Sequence, residues 1–400
     1  MAISKWIDMN DMPHKPTPPF QAIKKRPSTR LKRLVERRLK PATKHLTQRI
    51  FDQQSQVQSD QLAYQVISIF DKAKLRYYPS QTPTTKRIPL VIVAPLAVKM
   101  SIYDLFPERS LLGYLTANGF DVYLMDWGKL NRRDRHLDFE YFIFKAIPHF
   151  IQAVRKHSNS QDVSLHGWSM GGIFTLLYSA SNQDQHIRNI VIMGSPIDSH
   201  GSGPIGQLFA KSHKLFKIDQ KGRQAWLEKA MNNHLLHTSG WLNALGYKLL
   251  NPIKTLDTHW QMLKHSHDLG IVEAHATLSD FLDDMVDYPG AINRDMLLWV
   301  WLQNPLKTGQ ANYKNYHFDF KRIESAMLLA YGDNDDIVTE QAMLPLLSIT
   351  SSQDIELQSV PGGHLGMISG RSNAEKFWPK LVDWLSAHST PAKDVTEKNE

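Results

Sequence analysis

The chain has 400 residues, 42% of them apolar and none of them cysteine, enough for one large globular core and incompatible with disulfides, thiolate metal sites or a cysteine nucleophile. Its net charge of +8 is uneven: residues 1–50 hold 13 Lys/Arg against three acids, a net +10, so the other 350 residues carry −2. No apolar run reaches membrane-spanning length and the first residues lack a secretory leader, so the expected location is cytoplasmic.

In chain order, the proline-rich stretch 13–27 predicts an extended lead-in. Ser28 then caps a predicted helix with Leu31, Leu34, Val35 and Leu39 on one face and Lys32, Arg33, Arg37 and Arg38 on the other. Pro41 is expected to interrupt it, with a further amphipathic turn through Leu46 and Ile50. This basic arm, residues 1–60, has two readings: a solvated helix packed on the body by its leucines, or an element that binds an anionic membrane or polymer-granule surface. It lacks interleaved aromatics, so no specific nucleic acid is expected as a partner.

From about Lys74 the pattern alternates. Apolar strands are predicted at Pro89–Ala94, Asp121–Asp126, Asp162–His166, Ile190–Met193, Ala326–Ala330 and Ile355–Val360, with helices at Ser110–Asn118 and Phe139–His157. Such alternation predicts an α/β fold, a mostly parallel sheet with helices on both faces. The core is assigned to 61–197 and 318–390, a helical cap insertion to 198–317 and a polar tail to 391–400.

The stretch Gly167-Trp168-Ser169-Met170-Gly171 follows a predicted strand and precedes a helix-like run. That context suits a nucleophile on a tight turn, with the serine hydroxyl pushed out at the carboxyl edge of the sheet. A serine needs a base and an orienting acid, in the chain order Ser, acid, His. Asp335 follows the strand at Ala326, and His364 lies 29 residues later in a glycine-rich loop. Asp335 is preferred to Asp336 because Ile337 and Val338 should tuck into the core just after the acid. The oxyanion donors expected are the Met170 N–H and one from Leu96 or Ala97, after the strand at Pro89.

The spacing of His265, His267, Asp268 and His275 fits no metal-ligand pattern, and Asp280, Asp283, Asp284 and Asp287 read as a solvated helix face. With no phosphate-binding glycine loop, no cofactor is expected; acyl-CoA enters only as a candidate substrate.

From about Ala73 to Ala387 the chain resembles the polyhydroxyalkanoate (PHA) synthases, chiefly the short two-subunit (class III) type. The resemblance rests on the segment from Pro89 to Lys99 with Tyr103-Asp104-Leu105, Val122 to Gly128 with Asp134-Arg135-His136-Leu137, and the serine turn. It continues in Tyr288-Pro289-Gly290, Asn304-Pro305-Leu306 with Gly309, the acidic loop, Gly363 to Gly366 with Gly370, Trp378-Pro379 and Asp383-Trp384-Leu385. It implies an α/β-hydrolase fold with a cap, a triad at Ser169, Asp335 and His364, Ala97 as the second oxyanion donor, and a homodimer or a second synthase-type subunit as partner. The family carries cysteine where this chain has Ser169, and the family's histidine and proline near the acid are replaced here in Asp335-Asp336-Ile337-Val338-Thr339. An acyl-serine is an ordinary ester, less activated toward an alcohol than a thioester. The main expectation is therefore hydrolysis of hydroxyacyl or other acyl esters and thioesters through an acyl-serine. The alternatives are polymerisation of 3-hydroxyacyl-CoA and a non-catalytic surface-binding scaffold.

Overall fold

A computed structural model describes residues 32–82, 88–182, 184–216, 231, 233–250 and 259–389. The lead-in at 13–27, the cap at Ser28, Leu31 and the tail at 391–400 lie outside the described residues.

Eight strands form one sheet in the order β1-β2-β4-β3-β5-β6-β9-β10. They are β1 (Gln65–Phe70), β2 (Ala73–Tyr78), β3 (Leu90–Val93), β4 (Val122–Asp126), β5 (Val163–Trp168), β6 (Ile187–Met193), β9 (Ala326–Gly332) and β10 (Ile355–Val360). From β4 to β10 all neighbours are parallel, whereas β1 and β2 form an antiparallel hairpin on one edge, β2 running antiparallel to β4. The sequence reading missed this hairpin because its residues mix charge with apolar side chains. Arg76 of β2 closes a buried ion pair with Asp126 of β4, Nη2 to Oδ2 2.7 Å. Burying that charge is tolerable because the partner and further acceptors are in place.

Alternation along β5 divides the core in two. Val163 and Leu165 pack with Phe142, Phe150 and Phe174 on one face, while Trp168 packs on the other with Tyr103, Met193 and Leu365. Helices covering both faces are what such two-sided burial requires.

Two helices run through a proline. The arm helix continues from 32 to 51 past Pro41, contrary to the expected interruption. A π-helical turn, Val35–Leu39, stands just before it, with the Lys40 N–H bonded to the Val35 carbonyl. The same device, Phe142–Ala146, precedes Pro148 in the helix over 139–158. Widening the turn removes the clash between the proline ring and the preceding carbonyls. The apolar face expected to dock the arm does so only in part: Val35 and Leu46 are half-buried, whereas Leu34, Leu39 and Ile50 are exposed. Its docked face carries His45, whose Nδ1 lies 3.0 Å from the Ser266 carbonyl in the insertion.

The insertion is largely helical, with helices at Gly203–Phe216, Gly240–Leu250 and Leu269–Asp283. Its last part differs from a cap: Ile292, Trp299, Val300 and Leu306, with the hairpin of β7 (Gln310–Tyr313) and β8 (Tyr316–Asp319), pack into the same core cluster as Phe139 and Phe174. No helix among the described residues is long and apolar enough to cross a membrane.

Candidate active site

Ser169 sits between β5 and the helix Met170–Asn182 with a φ of 56°, the left-handed conformation that L residues adopt at a cost. Two glycines make the turn possible. A side chain at Gly167 would lie 2.5 Å from Gly172 Cα, and one at Gly171 would lie 2.1 Å from the Val93 carbonyl oxygen. The turn is pinned by Ser169 N–H to the Met193 carbonyl, 2.9 Å, and by the Ser195 hydroxyl donating to the Ser169 carbonyl, 2.8 Å. The strained φ is thus held by bonds to the neighbouring strand end.

The structure brings Ser169, His364 and Asp335 together although they lie far apart in sequence. His364 Nε2 is 2.9 Å from Ser169 Oγ and its Nδ1 is 2.7 Å from Asp335 Oδ2. The other carboxylate oxygen, Oδ1, accepts the N–H groups of Ile337 at 2.9 Å and Val338 at 3.0 Å. Val338 is fully buried, so the apolar pair after the acid anchors the loop whose amides hold the carboxylate. Asp336 is half-buried; partial burial, then the charge of Asp335, raises its pKa above the ordinary carboxylate value. Asp335 and His364 are both buried.

The acid and histidine loops are laced together. Asp333 N–H bonds the Val360 carbonyl at 2.9 Å, Asn334 N–H the Gly362 carbonyl at 3.2 Å, and Asp333 Oδ1 accepts Gly362 N–H at 2.8 Å. Gly362 has a φ of 106°, which glycine alone adopts readily.

Of the two expected oxyanion donors, Met170 is the first residue of the helix after Ser169, where the N–H groups have no partner within the helix. Ala97 lies in the loop after β3 with a φ of 68°. Gly171 fits against the Val93 carbonyl and the start of that loop, which brings loop and elbow into contact. Tyr288 of the insertion donates its hydroxyl to Met170 Sδ at 3.0 Å, a contact between the insertion and the elbow.

The remaining candidates have local roles. Asp268 accepts the Gly270 N–H at the start of the helix Leu269–Asp283. His275 is buried there, 4.8 Å from the His259 ring between centroids, and desolvation pushes its pKa down to about 4. The acidic face is not simply solvated: Asp280 pairs with Lys99, and Asp287 accepts the Gly240 N–H at 2.8 Å while pairing with His237. Sequence reasoning missed Ser195 and the Trp168 indole, whose ring centroid is 5.3 Å from that of His364. Only the position of Trp168, beside Ser169 in a glycine-flanked turn, could have pointed to it.

A model of the alpha/beta hydrolase fold family matches residues 101–370. Poly(3-hydroxyalkanoate) polymerase subunit PhaC of Haloferax mediterranei is 26% identical over 348 residues, covering 86% of this chain and 68% of the relative. The subunit of the same name from Allochromatium vinosum is 27% identical over 339 residues, covering 80% of this chain and 87% of the relative. Among solved structures, a monoglyceride lipase from Saccharomyces cerevisiae superposes with a TM-score of 0.56 at 18% identity, over 84% of this chain and 97% of the lipase. The chain belongs to the α/β-hydrolase fold family and is related to the poly(3-hydroxyalkanoate) polymerases.

Proposed function

We propose that this chain polymerises 3-hydroxyacyl units delivered as thioesters, such as acyl-CoA, with Ser169 as the acyl carrier. The observation that carries the reading is the Ser169–His364–Asp335 relay standing at the elbow of a chain related to poly(3-hydroxyalkanoate) polymerases. In the first step His364 Nε2 takes the Ser169 proton as Oγ attacks the thioester carbonyl. The C–S bond breaks, the thiol leaves with the proton from His364, and an acyl-serine ester remains. In the second, a chain-end hydroxyl gives its proton to His364 and attacks that ester; the bond to Oγ breaks, Oγ is reprotonated, and the chain is one unit longer. Met170 and Ala97 N–H groups stabilise the oxyanion in both steps.

The serine alone argued for water as acceptor, and the relatives favour the chain hydroxyl instead. Two features are consistent with their direction. Thioester to ester is downhill, whereas ester to ester is nearly balanced, so the outcome depends on which nucleophile reaches the acyl-serine. His364 is buried and Tyr288 contacts Met170 beside the serine, which shields the base from water while Ser169 itself stays half-exposed.

The test is purified protein with 3-hydroxybutyryl-CoA, measuring free thiol, free acid and polymer separately. Polymer matching thiol release supports the proposal. Acid released in step with thiol returns the reading to hydrolysis, and thiol release surviving Ser169→Ala removes the nucleophile.

A further inference from the structure

The oxyanion loop is held at both ends, and its second anchor comes from the insertion. At one end the Ala94 carbonyl accepts the Trp127 indole N–H at 2.8 Å. At the other, Lys99 precedes the buried 3-10 turn Met100–Asp104 and reaches across to the helix Leu269–Asp283. Its Nζ lies 2.6 Å from Asp284 Oδ2 and 3.3 Å from Asp280 Oδ2. Between the anchors lies Ala97 in a left-handed conformation that a non-glycine residue leaves unless it is restrained. One side of the loop is open. A cleft of about 590 Å³ runs along Pro95, Leu96, Ala97 and Val98, with Met285 and Val286 among its lining residues. Among the described residues none fills that cleft, so packing on this side does not hold the loop.

We infer that Lys99 is a positioning residue: its pairs with Asp280 and Asp284 tie the oxyanion loop to the insertion and hold the Ala97 N–H toward the acyl oxygen. This rests on Ser169 being the nucleophile, not on which acceptor takes the acyl group. Burial pulls the Lys99 ammonium down, but the bonds to Asp284 and Asp280 outweigh it and keep it charged. Asp280 is shared with the arm, since Gln54 Nε2 donates to its Oδ1 at 3.0 Å. The link therefore runs from the arm, through the insertion, to the loop beside the nucleophile.

A partly exposed ion pair contributes little to stability, while a misplacement of about 1 Å at a reacting centre costs about a hundredfold in rate. The two properties should separate. The experiment measures Ser169 labelling by a fluorophosphonate, with thermal melting alongside, because phosphonylation needs the oxyanion donors whatever acceptor follows. Lys99→Met should slow labelling by about ten- to a hundredfold with the melting temperature nearly unchanged, and Lys99→Arg should recover most of the rate. Asp280→Asn with Asp284→Asn should match Lys99→Met, and the triple variant should lose no more than either. In turnover the loss should fall on kcat with KM nearly unchanged, the mark of an interaction made in the transition state. Labelling of Lys99→Met within twofold of wild type overturns the inference, as do losses that multiply in the triple variant. Failure of wild type to make polymer, with labelling as expected, removes the proposed function and leaves Lys99 in its role.

Discussion

Replacing Asp335 by asparagine changes one atom of the carboxylate and should nearly abolish activity. The two oxygens of Asp335 are not equivalent: Oδ1 accepts the N–H groups of Ile337 and Val338, and Oδ2 faces His364 Nδ1 at 2.7 Å. An asparagine must keep its carbonyl oxygen on the two backbone donors, since turning the amide would set NH₂ against two N–H groups. Its NH₂ therefore points at Nδ1, which must become an acceptor, so the imidazole carries its proton on Nε2. That nitrogen lies 2.9 Å from Ser169 Oγ and can no longer take the serine's proton. The fold is spared, because both backbone bonds survive. A histidine held in the wrong tautomer costs about 10⁴ in rate, or about 5.5 kcal/mol of activation free energy. Thiol release from a hydroxyacyl thioester gives turnover, and the rate of phosphonate labelling gives nucleophile activation; both should fall together. Asp336→Asn, at a half-buried carboxylate beside the one bonded to His364 Nδ1, should stay within a few-fold of wild type. Asp335→Asn active within tenfold of wild type, with Asp336→Asn crippled, would refute both the choice of acid and the tautomer reasoning.

Ser169→Cys should leave a nucleophile that His364 can activate and an acyl-thioester more reactive toward alcohols, raising the ratio of polymer to free acid; an unchanged ratio counts against control by the nucleophile. Burial pushes the pKa of His166 and His275 down to about 4 from an ordinary 6.5. The unfolded chain then binds protons that the native state does not, so the contribution of each histidine to stability should fall by roughly 3 kcal/mol as pH drops from 6.5 toward 4. Urea unfolding at stepped pH measures this, and His166→Gln should flatten the slope. The exposed cations Arg33, Arg37 and Arg38 should draw the arm to anionic vesicles in a salt-sensitive way. Co-sedimentation that persists unchanged in high salt or in the triple glutamine variant would assign binding to apolar side chains instead.

The parallel strands were legible because each is a short apolar run bounded by turn residues, and burial on both faces demands that pattern. Ser169 was legible because its turn needs glycine where Val93 and Gly172 approach most closely. Asp335 stood out through Ile337 and Val338, whose burial and backbone donors are local to the acid. What escaped was whatever depends on a distant partner. Lys99 and Asp280 are 181 residues apart, and neither position alone distinguishes a paired charge from a solvated one. Pro41 misled for a related reason, since the widened turn that accommodates it is a backbone adjustment with no residue signature. The boundary of the insertion was blurred because Trp299 and Phe318 have the same apolar character whether they cover a cap or fill the core.

The lacing of the acid and histidine loops has a consequence for how such a centre changes over time. Asp333, Asn334 and Gly362 join the two loops by backbone-directed bonds, so Asp335 and His364 are carried on one cross-linked pair of loops supported by β9 and β10. The serine belongs to another segment, the turn beyond β5, and meets them through the contact of Nε2 with Oγ and through the packing of Trp168 on His364. The atom that faces the histidine is in effect a replaceable part: a change at Ser169 leaves the bonds between the acid and the base untouched.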